Sequence, residues 1–544
     1  MDSRIPPANR HGGGVITRVV IFTGDLGYSV RRGIAALADA YPSVSWLVAE
    51  QQTRRSLRQR LSHEIRQLKR NGWRWLPHRV ADVGRAVRER ARGVPAASAN
   101  APGREYEWAA ITARPAISHF TTANLHEEGS LRRVREFAPD LGISLAAPIL
   151  RPELFEIPSA GTINLHKGRL PAYRGMPPAF WEMFHGEQEV GCTVHRVTAG
   201  LDAGPILVED AIRREPFSTV RGLQLKLDEL GVRLMVEAVG ELATGTAQWK
   251  DQAPGGRTFT KPTLRDQAVV RSRERAPEAR HPARQIAKEL VFWNYVSLVR
   301  PLPRRMLALS GRQRIVALLY HRVNDSMRDS LTVGIEQFDR QMAWIRRNYP
   351  VASIEDVVRD RAPTSASRPV IVVTFDDGYR DNYENAVPIL LRHRIPAAFF
   401  VSTEMIGTER GFEHDRKVGP IPTMTWDQLR EMQRLGFLIG SHAATHIDCG
   451  SADIEVVRRE LAESRARLVE ELGAHDLIFA YPFGGPHNIT PPALNVVKEL
   501  GFIGCLSAYG GVNRPKVSPF NVLRVGISHR FTMLAFRSRL EGFA

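Results

Sequence analysis

Short apolar runs alternate with amphipathic helical patterns through residues 315–527, and this alternation restricts the fold more than any other feature. The runs include Ile315–Tyr320, Val370–Phe375, Ala397–Val401 and 437–441. Runs of this length and composition are typical of strands that are buried on both faces, as in parallel sheets. Repeated strand–helix units predict a parallel α/β architecture, and this number of units indicates a barrel.

Two adjacent carboxylates, Asp376 and Asp377, directly follow one of these strands. Like charges this close raise each other's pKa, so the pair is costly unless a cation binds one of them and leaves the other free as a base. His442 and His446, four residues apart after another strand, can reach one ion. Asp-Asp-Gly alone is also an ordinary strand-to-turn connection. Together with the two histidines, it predicts a metal centre.

The chain has 544 residues, which is too long for one core, and its net charge of +17 is unevenly distributed. Residues 51–100 hold 13 basic and three acidic side chains, and residues 261–314 hold 13 and four. Such segments suit an anionic partner: a nucleotide diphosphate, a polyprenyl phosphate, a membrane surface or nucleic acid. A solvated surface without any partner explains them equally well.

Targeting signals are not evident. Residues 1–14 have no apolar segment of secretory type, and no run of about 18 apolar residues occurs. Three widely spaced cysteines fit a reducing compartment. We therefore expect a cytoplasmic protein. Residues 288–305 form an aromatic, apolar pattern with basic ends, which predicts either peripheral contact with a membrane or packing on the protein itself.

The N-terminal half begins with strand, helix and strand patterns over residues 18–48, which is typical of a doubly wound α/β domain. We expect a flexible lead over residues 1–14 and a domain over 15–260. A basic insertion is predicted at 52–115 within that domain. A basic linker at 261–312 and a second domain at 313–544 complete the predicted layout.

Three motifs occur in order within the first domain. They are Asn164-Leu165-His166, Leu-Pro-Ala-Tyr-Arg-Gly at 170–175 and Leu-Asp-Ala-Gly-Pro-Ile at 201–206. These residues resemble the formyltransferase family, which uses formyltetrahydrofolate as the formyl donor. The resemblance covers about residues 15–260 and implies a Rossmann-like fold. Residues 167–169 are Lys-Gly-Arg, where the family commonly has Pro-Ser-Leu.

The resemblance implies roles for three residues. Asn164 would hold the formyl carbonyl oxygen, and His166 would stabilise the oxyanion or relay a proton. Asp202 would orient His166 and help to remove a proton from the attacking amine. These residue types suit formyl transfer, in which a neutral amine attacks a formyl carbon through a tetrahedral oxyanion.

The second domain resembles the polysaccharide deacetylase family, also called the nodulation-protein-B homology or chitooligosaccharide deacetylase family. The motifs are Thr-Phe-Asp-Asp-Gly at 374–378, Ser-His-x-x-x-His at 441–446 and Tyr-Pro-Phe-Gly at 481–484, within a match over about 313–535. The family has a distorted barrel. The resemblance implies that Asp376 is the base that deprotonates the attacking water. It also implies a divalent metal, often zinc, held by Asp377, His442 and His446.

The same resemblance leaves two candidates for the general acid. Tyr-His at 320–321 matches the subgroup that acts on exported poly-N-acetylglucosamine, whereas Ser-His at 528–529 lies near the position that many other members use. We favour His321 over His529. Tyr481 and Pro482 are expected to bind substrate, and position 480, an arginine in many members, is Ala480.

The two resemblances together predict a bifunctional carbohydrate enzyme, a metal-dependent de-N-acylase joined to an N-formyltransferase. The expected substrate is an amino sugar that is nucleotide-linked, lipid-linked or part of an oligosaccharide. Either reaction could come first. Two alternatives are a transfer-RNA formyltransferase with an accessory domain, and a deacetylase with a non-catalytic formyltransferase-like domain. Nucleic acid is the less favoured partner, because the usual C-terminal module of transfer-RNA enzymes is replaced by a different domain.

Overall fold

A computed structural model describes residues 16–52, 101–274, 314–363, 368–416, 419, 421–514 and 517–541. Within these ranges, residues 16–52 and 104–274 belong to one compact unit and residues 314–541 to another. The predicted lead at 1–14 and the segment at 288–305 lie outside the described residues, as does most of the predicted insertion. Among the helices that the structure describes, none combines the length and apolar character needed to cross a bilayer.

The first unit is built on a mixed seven-stranded sheet with the order β3-β2-β1-β4-β5-β7-β8. Its strands are β1 (Arg18–Thr23), β2 (Ser45–Gln51), β3 (Ile117–Thr122), β4 (Leu141–Ser144), β5 (Thr162–His166), β7 (Glu189–Arg196) and β8 (Ile206–Arg213). The predicted Rossmann-like α/β fold is confirmed. The first five strands are parallel, but β7 is antiparallel to both β5 and β8. The apolar pattern did not reveal this hairpin, because it carries no information on strand direction.

The helices of the first unit are Tyr28–Ala40, Trp108–Thr112, Glu128–Phe137, Pro152–Phe155, Phe180–His185, Val220–Thr244 and Leu264–Glu274. The longest begins at an N-cap, where the Thr219 hydroxyl accepts from the Gly222 amide, and ends at Gly245 in a left-handed conformation. A short ladder pairs β6 (Tyr173–Gly175) with β9 (Arg257–Phe259).

Helix Leu264–Glu274 lies in residues that the sequence pattern assigns to the linker, yet it packs on the first unit. Val270 is buried in the core, and Arg273 donates from Nη1 to the Met183 carbonyl at 3.0 Å. The helix has only one buried side chain, so its sequence lacks the apolar stripe by which packed helices are usually identified.

The second unit contains a seven-stranded parallel sheet with the order β17-β16-β15-β14-β13-β10-β18. The strands are β10 (Ile315–Tyr320), β13 (Val370–Phe375), β14 (Ala397–Val401), β15 (Leu438–Ser441), β16 (Ile478–Ala480), β17 (Gly504–Leu506) and β18 (Arg524–Gly526). A parallel bridge between Leu506 and Val522 brings the two ends of this order together. The barrel prediction is therefore confirmed, as a distorted and nearly closed barrel.

Helices cover the outside of this barrel and short strands lie beside it. The helices are Ile335–Asn348, Ile354–Val358, Val387–His393, Trp426–Arg434, Ile454–Leu472, Pro491–Glu499 and Met533–Leu540, and the two-residue strands are β11 (Arg322–Val323) and β12 (Thr332–Val333). Tyr320 is in register with Phe375, so residues that follow β10 and β13 emerge side by side. The carboxyl ends of neighbouring parallel strands meet at one edge, where barrels of this kind carry their active sites.

Candidate active sites

The carboxylate of Asp377 faces two imidazoles at the carboxyl edge of the barrel. Its Oδ1 lies 3.4 Å from Nε2 of His442 and 3.4 Å from Nε2 of His446. One ligand atom from each of the three residues falls within 4.8 Å of the others. Asp377 holds a backbone φ of 75°, and both of its oxygens are buried without a hydrogen-bond partner. Burying a carboxylate without a hydrogen-bond partner costs free energy unless a cation binds to it.

The tautomer of His442 fits a metal ligand. Its Nδ1 lies 2.7 Å from the Ala480 carbonyl oxygen. Because a carbonyl can only accept, Nδ1 carries the hydrogen and the Nε2 lone pair points toward Asp377. Glu460 supports the loop between the histidines, since its two oxygens accept from the amide of Thr445 at 2.8 Å and from its hydroxyl at 2.7 Å. The three donors therefore fit a divalent metal.

Burial raises the pKa of Asp377, but the imidazoles of His414, His442 and His446 lower it more, and the pKa lies well below its usual range. Burial lowers the pKa of His446 despite the neighbouring Asp377. An ionised Asp377 and a neutral His446 are the protonation states that metal ligation requires of these two groups.

Asp376, the predicted base, is held by a residue that sequence reasoning missed. Arg524 in β18 donates from Nη1 to Oδ1 of Asp376 at 2.6 Å and from Nη2 to Oδ2 at 2.7 Å. Both side chains are buried. Arg524 also donates from Nε to the Ser507 carbonyl at 2.8 Å. The guanidinium of this site thus comes from β18 and not from position 480, where the chain has Ala480.

The two candidate general acids lie in different surroundings. Burial lowers the pKa of His321, while the nearby charges of Asp377 and Asp376 raise it. His529 instead places Nδ1 against the Asp329 carbonyl oxygen and donates its backbone amide to the Thr332 carbonyl at 2.7 Å. The electrostatic influence of the two carboxylates favours His321, and the assignment stays a prediction.

The Tyr-Pro-Phe-Gly turn presents a residue other than the two predicted to bind substrate. Tyr481 is 1% exposed and packs on Phe479 with ring centroids 4.8 Å apart, and Pro482 is also buried. Phe483 is 50% exposed, has a φ of 60°, and lies 4.9 Å from the ring of His446. Phe483 is therefore the exposed side chain among these three, and the substrate-binding roles of Tyr481 and Pro482 remain predictions.

In the first unit, Asp202 lies between two imidazoles at the carboxyl end of β5. Its Oδ2 is 3.5 Å from Nδ1 of His166, and its Oδ1 is 3.6 Å from Nε2 of His195. Nε2 of His195 is also 3.1 Å from Nδ2 of Asn164. The structure therefore brings Asn164, His166 and Asp202 together. It adds His195, which lies opposite Asn164 in the antiparallel β5–β7 pair.

The protonation of this cluster follows from its partners. Nε2 of His166 donates to the Tyr173 carbonyl at 2.7 Å, which leaves Nδ1 facing Asp202. Burial lowers the pKa of His166 in spite of the carboxylate beside it. Burial raises the pKa of Asp202. The combined effect of His195, His166 and the Gly175 amide lowers it by more, so the pKa of Asp202 lies below the ordinary value.

A cavity of about 720 Å³ opens beside this cluster and is lined by Asn164, His166 and Asp202. Lys167, which departs from the family motif, also lines the cavity. Its Nζ lies 2.5 Å from Oδ1 of Asp228. Large apolar side chains that are exposed to solvent contribute to its lining, namely Ile149, Met176 and Leu201. The cavity can therefore take a ligand with both polar and apolar parts.

Comparison with known proteins agrees with this division. Residues 77–239 match the family model described as formyl transferase, and residues 364–504 match the model described as polysaccharide deacetylase. The chain joins a formyltransferase domain to a polysaccharide deacetylase domain. The formyltransferase match begins within the predicted insertion at 52–115.

Similar proteins are found for each half separately. The putative polysaccharide deacetylase YxkH of Bacillus subtilis is 26% identical over 42% of this chain and 76% of its own length. Methionyl-tRNA formyltransferase of Roseiflexus castenholzii is 30% identical over 28% of this chain and 48% of its own length. The chain thus spans about half the length of that relative. A solved sugar N-formyltransferase from Shewanella sp. is 17% identical, with a TM-score of 0.30, over 47% of this chain and 86% of that structure.

Proposed function

We propose that the chain is a bifunctional enzyme of amino-sugar chemistry, in which a metal-dependent de-N-acylase is joined to an N-formyltransferase. The observation that carries the proposal is the state of Asp377. Its buried oxygens have no hydrogen bond, and Oδ1 faces two imidazole nitrogens at 3.4 Å. A metal site beside a separately held Asp376 suits hydrolysis of an amide.

Zinc fits the donor set better than calcium or magnesium. Two imidazole nitrogens and one carboxylate oxygen form a set that zinc commonly uses in catalytic sites, whereas calcium and magnesium prefer oxygen ligands. When bound, such a metal lowers the pKa of water towards about 7 and polarises a carbonyl.

We propose that Asp376 and His321 carry out the proton transfers of hydrolysis. Asp376, oriented by Arg524, accepts a proton from the water that adds to the acyl carbon of the N-acyl group. His321 gives a proton to the nitrogen as the carbon–nitrogen bond breaks. The products are a free amino sugar and a carboxylate, which is acetate or formate according to the acyl group removed.

The formyltransferase half uses a free amine of the same kind. The amine nitrogen attacks the formyl carbon of formyltetrahydrofolate, and Asn164 holds the oxygen on which negative charge develops. Asp202, flanked by His166 and His195, takes up the proton that the amine loses. The donor nitrogen leaves with a proton, and the sugar retains the formyl group.

The free amine is the product of deacylation and the substrate of formyl transfer. The two reactions can therefore occur in either order. Deacetylation followed by formylation exchanges one acyl group for another on a single sugar. Formylation followed by deacylation uses the formyl group as a temporary modification. In both orders the two activities act on one class of substrate, an amino sugar.

Mass spectrometry of candidate sugars tests this function. Uridine diphosphate N-acetylglucosamine and chitooligosaccharides, with their free amines, are incubated with the full chain, formyltetrahydrofolate and zinc. We expect a loss of 42 mass units for deacetylation or a gain of 28 for formylation of an amine. Asp377→Ala should abolish the first change alone, and Asp202→Asn should abolish the second alone. The absence of both changes on every amino sugar would contradict the proposal.

A second candidate is formylation of an aminoacyl transfer RNA. The sequence identity between this chain and methionyl-tRNA formyltransferases favours this candidate. Binding of transfer RNA that weakens steeply with added salt, together with formylation of the charged amino acid, would establish it.

A further inference from the structure

The metal cluster has a neighbour that no sequence motif includes. Between β14 and helix Trp426–Arg434, the chain crosses the carboxyl edge of the barrel and brings His414 beside Asp377. The His414 side chain is 23% exposed, while the Asp377 side chain is 1% exposed. His414 thus lies at the boundary between the buried carboxylate and solvent.

The two oxygens of Asp377 face different groups. Oδ1 lies 3.4 Å from the Nε2 atoms of both His442 and His446. Oδ2 lies 3.5 Å from Nε2 of His414. The carboxylate therefore presents one oxygen to the predicted metal ligands and turns the other toward His414.

The His414 ring is held by its neighbours. It stacks on Phe412 with centroids 5.4 Å apart and an interplanar angle of 12°. Its Nε2 lies 2.8 Å from the Tyr379 hydroxyl, which is 2.5 Å from Oδ2 of Asp415. Asp415 is in turn paired with the buried Arg322. This buried network supports the ring from the side opposite to solvent.

The direction of the hydrogen bonds follows from the acceptors. An ionised Asp415 can only accept, so the Tyr379 hydroxyl donates to it. The Tyr379 oxygen is then an acceptor toward His414. The polar atoms close to Nε2 of His414 are all acceptors, namely the Tyr379 oxygen and the Oδ2 atoms of Asp377 and Asp415. Nε2 therefore carries a hydrogen, which it donates to the Tyr379 oxygen at 2.8 Å.

We propose that His414 is a positioning residue of the metal centre. Its positively polarised Nε2–H edge, which donates to the Tyr379 oxygen, lies 3.5 Å from Oδ2 of Asp377 and attracts that oxygen electrostatically. Oδ1 is then the atom presented to the ion together with His442 and His446. The inference deepens the proposed hydrolytic function and rests on the metal site of that function. Partners of ligating groups fix their orientation, and their loss typically weakens metal binding by about 10- to 100-fold.

Zinc affinity tests this role without any substrate. The full chain, stripped of metal, is titrated with zinc against a chromophoric chelator, and the Asp377→Ala variant defines binding elsewhere in the chain. We expect His414→Ala to raise the dissociation constant by about 10- to 100-fold. His414→Gln, whose side-chain amide can still present an N–H to Oδ2, should stay within about threefold of the original value because a polarised N–H is retained beside that oxygen.

His475→Ala is the matched control, because His475 is an exposed histidine at the opposite end of β16. Thermal unfolding of the metal-free variants checks that the fold is retained. A His414→Ala dissociation constant within twofold of the original would overturn the inference. So would equal weakening in His414→Gln and His414→Ala, since that result would make the imidazole itself a ligand. If the unaltered chain bound no more zinc than Asp377→Ala, the proposed metal centre would fail as well.

Discussion

Arg524 and Asp376 form a bidentate ion pair, with nitrogen–oxygen distances of 2.6 and 2.7 Å, and both side chains are buried. The pair joins β18 to the residue that follows β13. It fixes the plane of the carboxylate that we propose as the base, and it supplies the charge that makes an ionised carboxylate tolerable in the protein interior.

Replacement of Arg524 should therefore affect both stability and hydrolysis. In Arg524→Met the Asp376 carboxylate stays buried without its partner, and we expect the second unit to lose about 3–5 kcal/mol of unfolding free energy. Arg467→Met removes an exposed arginine of a surface ion pair and should cost no more than about 1 kcal/mol. Denaturant unfolding and deacetylation rates measure the two effects. Equal losses in the two variants would contradict the buried-pair interpretation.

Removal of metal should separate the two activities. The donors of the metal cluster, Asp377, His442 and His446, all belong to the second unit. Dialysis against a chelator should abolish deacylation and leave formyl transfer unchanged, and added zinc should restore the former. Loss of formyl transfer on chelation would show that the first domain depends on metal too.

His321 and His529 can be distinguished by paired substitutions. The charges of Asp376 and Asp377 influence the pKa of His321, and we expect His321→Ala to lower the deacylation rate by about 10²- to 10⁴-fold, as for loss of a general acid. His529→Ala should change the rate by less than about tenfold, because it removes no proton donor of the reaction. Near-normal turnover of His321→Ala together with loss in His529→Ala would reverse the assignment.

Asp202 should make the first unit sensitive to acid. Its pKa in the folded chain lies below the ordinary value of about 3.9, so its charge stabilises the unit above that pH. The contribution is lost as the pH falls through the folded-state pKa. Asp202→Asn should be less stable at neutral pH and should show a shallower decline below about pH 4. Parallel pH profiles for the two proteins, measured by denaturant unfolding, would contradict this account.

Phe483 should contribute to binding of substrate and not to the chemical step. Its exposed ring lies beside His446, in a position to pack against a sugar ring. We expect Phe483→Ala to raise KM with little change in kcat or in zinc content, and Phe483→Tyr to retain the original KM. A fall in kcat without a change in KM would place Phe483 in the catalytic step instead.

Residues that are close in sequence could be predicted to meet. Asp376 and Asp377 are adjacent, His442 and His446 are four apart, and Asn164 and His166 share one face of β5 by strand alternation. For each of these pairs, local geometry leaves little freedom. The alternation of strand and helix patterns likewise predicted the parallel strands at the core of both units.

Arg524, His414 and His195 could not be found in this way. Arg524 is 148 residues from Asp376 in sequence, and it reaches the site only because β18 lies beside β10. His414 lies in a single 3₁₀ turn, Glu413–Asp415, which is too short to show a periodic pattern. His195 approaches Asn164 through an antiparallel pairing that apolar patterns do not distinguish from a parallel one. Such contacts depend on topology and strand direction.

The position of β10 between β13 and β18 also has a consequence for biosynthesis. During synthesis, His321, which directly follows β10, leaves the ribosome well before Arg524 in β18. Asp376 and Asp377 would be made long before the guanidinium that neutralises the first of them. The nascent domain therefore cannot complete its hydrolytic centre until β18 inserts beside β10, so catalytic competence should arise only when the barrel is assembled.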